Sequence, residues 1–272
     1  VVDQQKGRKT LAEEDWKEIE IIGWLYQFYN SEKKDEVFLG LKNNKKLTKG
    51  TIPAATQLFT PKWIVKYMVE NSLGKLALEE ISVRESIKEN WKYFIEAESK
   101  GVINNARTEE IKIEDVKLLD PSMGSGHILV YAFDVLYQIY EELGYSRREA
   151  VASIINNNLY GMDIDDRAAT LASFALVMKG REYFPRIFNA LDNEEIEINT
   201  LSIQESNSLE DGIIDSLKSH NLLELIKLIG LFNDAKEYGS ILKVEGINIE
   251  KAEEEFRTFE SREALFYGEE KK

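Results

Sequence analysis

Residues 118–133 read LLDPSMGSGHILVYAF. An apolar run meets Asp120, breaks at Pro121, passes Gly124 and Gly126, and turns apolar again. The pattern predicts a strand, a tight turn and a helix, because glycine admits positive φ and lets a ligand approach the backbone closely. Working outward, Val116 to Asp120 reads as a short buried strand, and the apolar stretch after Gly126 as a long helix ending at Gly144. Ser146 and Glu149 have the spacing of a capping box, opening a second helix to about Asn157. LYGMDI (159–164) is the next strand, DDRAATLASFALVMK a helix closed by Gly180, and EIEINTLSI (195–203) a third strand. Strands joined by crossover helices predict a parallel, doubly wound sheet.

Upstream, EDWKEIEIIGWLYQF (14–28) repeats apolar residues at helical spacing, and its aromatics read as core. A polar, lysine-bearing connection follows, punctuated by Gly50 and Pro53. Thr60 and Pro61 then suit an N-cap and a first helical residue, with Gly74 as the residue that closes the helix. A charged helical region is expected over about 82–100. Beyond Asp211 the spacing predicts helices, one leucine-rich (217–232) and one acidic (250–267). The expected organisation is a helical N-terminal segment (1–110), an α/β core (111–210) and a helical acidic extension (211–272).

Composition narrows the function. The 272 residues carry 35 − 49 = −14 formal charges, so nucleic acid is not attracted by overall charge. A basic cluster at Lys42, Lys45, Lys46 and Lys49 reads as a solvated loop. The absence of cysteine excludes disulfides, thiolate nucleophiles and zinc knuckles, and two distant histidines argue against a histidine-rich metal site. No apolar run has the length of a membrane span, and the first residues form no signal-peptide core. A cytoplasmic location is expected. Both ends read as cuts in a longer protein.

Ligands of parallel sheets sit beyond the carboxyl ends of strands, so the turn after the first strand is the place to look. It offers a carboxylate, two glycines and a helix N-terminus that can receive a phosphate or a carboxylate. Three details separate the choices. The position where a dinucleotide fingerprint needs its third small residue is Leu129. The acid ending the second strand, Asp163, is farther along than that fingerprint expects. A carboxylate directly before the turn repels a pyrophosphate and welcomes an ammonium group. A ligand with a carboxylate, an ammonium and a ribose fits, namely S-adenosylmethionine (SAM). The competing reading is a tight turn with an ordinary solvated aspartate. Asp165 and Asp166 read as helix caps, and His127 as a residue that caps or packs the turn.

DPSMGSG (120–126) resembles the SAM-binding motif of N6-adenine-specific DNA methyltransferases, and TQLFTP (56–61) their upstream Phe-Thr-Pro motif. Longer stretches, among them LLDPSMGSGHILVYAFDVLYQIYEELGY and NLYGMDIDDRAATLASFALVMKGR, are similar to the large adenine methyltransferase of BREX phage-defence systems. The resemblance spans about 15–207 and implies a Rossmann-like, SAM-dependent methyltransferase fold. It implies that Thr60 and Pro61 close over the methionine end of SAM, and that Asp120, Gly124 and Gly126 lie under its amino-acid part. It further implies that Asp163 binds the ribose hydroxyls and that Ile164 packs on the adenine. The family's adenine-binding Asp has no counterpart near 202–205, where Gln204 or Glu205 would have to substitute.

The family's catalytic Asn/Asp-Pro-Pro-Tyr/Phe is absent, since the four prolines (53, 61, 121 and 185) are nowhere adjacent. The expectation is therefore a cofactor-holding part of an adenine methyltransferase, inactive alone. Double-stranded DNA would be met by other parts of the parent, and phage-defence or restriction-modification proteins would be its partners. An RNA or protein methyltransferase, or a non-catalytic scaffold of the same fold, are the alternatives.

Overall fold

The structure, a computed structural model, describes residues 19, 21–48, 50–56, 60–81, 83–96, 111–209 and 211–269. It divides into two compact units, Val1–Ser202 and Ile203–Lys272. The first holds the described N-terminal helices together with the sheet.

Helix α1 (Ile21–Lys42) continues well past Phe28, where the sequence suggested a polar connection. The segment NSEKKDEVFLGLK is rich in straight-chain residues that lose little freedom in a helix. The expected start at Glu14 lies outside the described residues. After a short helix α2 (Ile52–Thr56), α3 (Lys62–Val69) begins one residue later than the Thr-Pro signal implied. Pro61 itself occupies the N-cap, and its carbonyl accepts the Ile64 and Val65 amides. The residues just before it, Gln57 to Phe59, lie outside the described residues.

Gly74 does not end this helix. The chain widens into one π-helical turn (Glu70–Gly74) and goes on as α4 (Lys75–Glu80). Gly74 has ordinary helical angles, and a Cβ there would stand 2.8 Å from the Trp91 ring. The glycine is kept by packing. Opposite it, the expected charged helix is a 3-10 turn (Glu85–Asn90) followed by irregular chain. Side chains of the π turn capture that backbone. Glu70 accepts the Tyr93 amide at 2.5 Å, and Asn71 accepts the Ile95 amide at 2.8 Å while donating to the Tyr93 carbonyl. Ile87 and Trp91 are thereby buried.

The sheet has three parallel strands in the order β1 (Leu118–Asp120), β2 (Leu159–Asp163) and β3 (Thr200–Ser202). Leu119 pairs with Tyr160, and Asp163 with Ser202. Helix α5 (His127–Glu142) follows β1 and is apolar nearly all round, as suits a helix enclosed on most sides. It packs against α3, β2, α6 (Arg147–Ser153) and α7 (Asp166–Tyr183). Leu129, Phe133, Leu136, Ile139 and Tyr140 are fully buried, each worth roughly 1.5–3 kcal/mol of transfer free energy. Gly144 closes it at φ +87, with Tyr145 N–H reaching the Tyr140 carbonyl and Gly144 N–H that of Glu141. Both halves of the Ser146–Glu149 capping box form. A π turn (Ile154–Asn158) leads into β2.

All three strands are shorter than the sequence suggested, β2 by one residue only, and the sheet is not doubly wound among the described residues. Leu119 and Leu201, on the face opposite α5 and α7, are 54% and 53% exposed. The Asn199 carbonyl still accepts the Gly161 amide of β2, but farther back Asn156 binds the Glu195 carbonyl and the Glu197 amide, and the Asn199 side chain ties the segment to the Ile155 and Asn156 carbonyls, so residues 195–198 do not extend β3. Gly180 does not close α7; the helix runs on to Tyr183, and a Cβ at Gly180 would meet Ile187 of α8 (Ile187–Asp192) at 2.5 Å.

The second unit is helical: α9 (Asp211–Ser219), α10 (Leu223–Leu231), α11 (Ala235–Tyr238) and α12 (Ile249–Glu269), but the leucine-rich stretch expected as one helix over 217–232 is broken between α9 and α10, where Asn221 takes a positive φ of 58. Leu217, Leu222 and Leu225 form its core, and buried Glu255 accepts the Leu225 amide at the start of α10. Among the described residues no helix is long and apolar enough to cross a membrane.

Candidate cofactor site

The carboxyl ends of β1 and β2 carry one carboxylate each, and the glycine turn lies between them. Gly161, mid-strand in β2, makes this possible. A Cβ there would collide with the Met123 sulfur and stand 2.7 Å from Leu129, so the missing side chain lets the turn settle onto the sheet. Met123 N–H donates to the Met162 carbonyl at 3.0 Å, fixing the height of the turn. Gly124 and Gly126 both adopt positive φ, +54 and +85. A Cβ on Gly124 would meet open space, whereas one on Gly126 would press on Ala172 of α7 at 3.0 Å.

Asp120 is 8% exposed. Its Oδ1 accepts the Ser122 amide at 3.1 Å, while Oδ2 is buried without a hydrogen-bond partner. Burial pushes its pKa up; the Ser122 hydrogen bond opposes this, and the charge of Asp163 adds to it. Asp163 is held differently. Its Oδ2 accepts the Gly124 amide at 2.9 Å and its Oδ1 the Asp165 amide at 2.8 Å. Each oxygen keeps capacity for a further donor. Ile164, next in the chain, is half-buried.

Asp120, Gly124, Gly126 and Asp163 are thus brought together. Thr60 and Pro61 stand at the head of α3, which packs along α5, and the Lys62 charge beside them reaches His127. His127, the first residue of α5, has its Nδ1 3.1 Å from Ser125 Oγ. Burial first, then Lys62, brings its pKa down to about 4. Asp165 caps α7, as the sequence suggested, accepting the Arg167 amide. Gln204 and Glu205 follow β3 in the second unit. Lys42 ends α1, Lys45 and Lys46 are exposed after it, and Lys49 lies outside the described residues.

Sequence reasoning missed the part played by α1. A Cβ on Gly23 would stand 2.5 Å from Ser125 Oγ and 2.9 Å from the His127 ring, so α1 lies directly against the glycine turn. One helical turn on, Tyr26 donates its hydroxyl to Asp165 Oδ2 at 2.5 Å. The one signal available was a glycine inside an otherwise good helical pattern, which marks close approach.

Carboxylates at the ends of adjacent parallel strands, bridged by a glycine turn, make this an α/β domain of the class that takes its ligand at the strands' carboxyl edge. The chain belongs to the family of the MmeI DNA-methyltransferase domain, whose model matches residues 81–217, half of the chain. It is 42% identical over 240 residues to the adenine-specific methyltransferase PglX of Lacticaseibacillus casei (strain Zhang), a match covering 84% of this chain and 19% of that protein. It is 38% identical over 263 residues to the adenine-specific methyltransferase BrxX of Escherichia coli O9:H4 (strain HS), covering 86% and 21%. A third relative, a putative type II restriction enzyme and methyltransferase of Methanocaldococcus jannaschii, is 33% identical over 136 residues, covering 43% of this chain and 11% of its own. The chain spans about a fifth of the length of the first two relatives.

Proposed function

We propose that this chain is the cofactor-holding part of an adenine-specific DNA methyltransferase, with a Rossmann-like core that binds SAM. The observation carrying this reading is the orphaned Asp120 Oδ2, buried beside an open glycine turn and across from Asp163. A buried carboxylate oxygen without a donor is costly. An ammonium group in that place offsets the cost, and the α-ammonium of SAM supplies one. Asp163, already oriented by two backbone amides, accepts the ribose hydroxyls through its remaining lone pairs. The half-buried side chain of Ile164 offers an apolar surface to the adenine, and Thr60 and Pro61 at the head of α3 cover the methionine end. When bound, SAM supplies a methyl group activated by its sulfonium, so the protein's work is largely to hold donor and acceptor in line.

The relatives named as adenine-specific methyltransferases are about five times longer than the aligned region. On this reading the whole protein methylates adenine N6 in double-stranded DNA, alongside phage-defence or restriction-modification partners, and acts in the cytoplasm. This chain carries no catalytic residue of its own. Isothermal titration of the 272-residue chain with SAM tests the proposal. Stoichiometric binding that Asp120→Ala abolishes supports it; absence of heat and of any ligand-induced rise in Tm overturns it.

A further inference from the structure

Helix α1 touches the site at two points, one turn apart on the same side. Gly23 lies against Ser125 and His127 of the glycine turn, and Tyr26 reaches the turn that follows β2. From Tyr26 an unbroken series of hydrogen bonds leads inward. Its hydroxyl donates to Asp165 Oδ2 at 2.5 Å. The backbone N–H of Asp165 donates to Asp163 Oδ1 at 2.8 Å, and Asp163 Oδ2 accepts the Gly124 amide at 2.9 Å.

Every link is between residues that do something else as well. Asp165 is 7% exposed and caps α7 through its Oδ1. A buried carboxylate that satisfies a helix end with one oxygen needs a donor for the other, and that donor comes from α1, 139 positions away. The Tyr26 ring is held in turn by the Arg167 guanidinium 5.8 Å from its centre, and its hydroxyl also receives the buried Asn30 side chain.

We infer that Tyr26 is a positioning residue for the nucleoside end of the cofactor: through Asp165 it fixes the amide that orients the Asp163 carboxylate toward the ribose. This rests on the reading of Asp163 given above. It makes the N-terminal helix part of the cofactor site, although no residue of α1 need touch the ligand. Losing the Tyr26 hydroxyl leaves the Asp165 side chain held by Arg167 alone, which loosens the amide that Asp163 Oδ1 accepts, and the Gly124 amide is then the firmer of its two anchors.

The test compares the 272-residue chain with its Tyr26→Phe variant, which keeps the ring under Arg167. Both are titrated with S-adenosylhomocysteine and with its 2′,3′-dideoxy analogue, and melted by circular dichroism. Tyr26→Phe weakens the hydroxyl-bearing ligand about fivefold, the scale of one well-placed hydrogen bond, and leaves the dideoxy analogue unchanged. Equal weakening of both ligands means general loosening and overturns the inference. Unchanged affinity for both overturns it too, if Asp163→Ala abolishes the preference for the hydroxyls. A chain that binds neither ligand overturns the underlying reading of the site instead. Should Tyr26→Phe melt too low to titrate, Asp165→Ser, which retains an N-cap acceptor but is shorter by the carboxylate that meets Tyr26, replaces it with the same expected ligand contrast.

Discussion

Asp163 Oδ2 accepts the Gly124 amide at 2.9 Å, joining the end of β2 to the turn after β1 across 39 positions of sequence. A carboxylate read as a ligand group is therefore also a fastener. The glycine turn needs such a hold, because its two positive-φ residues cost backbone freedom and the space where a Gly124 side chain would stand is open. The arrangement also separates the two acids by role. Asp163 has both oxygens fixed by backbone amides, whereas Asp120 has one oxygen fixed and the other buried bare. The second is the group that gains most from a cationic ligand.

Asp120→Asn makes the point measurable. Burial raises the Asp120 pKa above the ordinary 3.8, so the folded chain holds its proton more tightly than the unfolded chain does. Stability from this group accordingly falls as pH rises from 3.8 through the folded value, and the ionised form is a burden at pH 7. The asparagine keeps an acceptor for the Ser122 amide without the charge. Urea unfolding of the ligand-free variant shows a higher midpoint at pH 7, with the gain shrinking toward pH 3. SAM affinity drops about tenfold, the scale of one charge-assisted hydrogen bond. A variant that binds SAM normally contradicts the ammonium assignment.

His127 works in the opposite direction along the pH axis. With its pKa brought down from 6.5 to about 4, it is neutral at pH 7 and its burial is fully compatible with folding above pH 6.5. As pH falls from 6.5 toward 4 the unfolded chain takes up a proton that the folded chain refuses, and stability declines by at most about 3 kcal/mol. Guanidinium unfolding between pH 7 and 4.5 reads this loss, and His127→Gln flattens it. A histidine Cε1 proton resonance titrating at 6.5 in a His220→Gln background would refute the assignment.

How much of this was legible in the sequence depends on the range of the forces involved. The Ser146–Glu149 capping box and the Gly144 helix end are set by neighbours within six residues, and local spacing predicts each. Asp120 and Asp163 could be named because strand ends announce themselves by a change of period. Three features were not local. Gly74 and Gly180 look like helix stops but serve Trp91 and Ile187, since a glycine kept for packing and one kept for positive φ are the same letter. Residues 195–198 have strand propensity, yet the Asn156 side chain takes the Glu195 carbonyl and the Glu197 amide. Tyr26 meets Asp165 across 139 positions, a distance no periodicity spans.

Gly74→Ala separates the two uses of glycine by sign. At a solvent-facing helix interior this change stabilises by about 1 kcal/mol through propensity alone. Here the new methyl would enter the Trp91 ring, which is 3% exposed and anchored by its Nε1–H to Gln138 at 3.1 Å. Overpacking of this kind costs about 1–3 kcal/mol. Net destabilisation in urea, with a changed Trp fluorescence, is the expected result, and a stabilised variant excludes the packing role.

Gly124→Ala and Gly126→Ala form the sharpest pair, because both positions share positive φ and differ in surroundings. At Gly124, φ +54 and open space leave backbone strain as the whole cost, about 1–2 kcal/mol. At Gly126 the same strain is joined by a clash with Ala172, whose side-chain methyl and backbone would lie 3.0 and 3.1 Å from the added carbon. Ala172 is fully buried on α7 and has nowhere to retreat, so overpacking adds about 1–3 kcal/mol. Introducing Ala172→Gly into both variants exposes the difference: residues that touch show coupling, whereas independent sites add. Part of the loss returns in the Gly126 background, where the clash with the backbone of residue 172 persists, and none returns in the Gly124 background. Equal costs for the two alanines, with no coupling to position 172, would mean that Gly126 is kept for its φ alone and that α7 does not brace the turn.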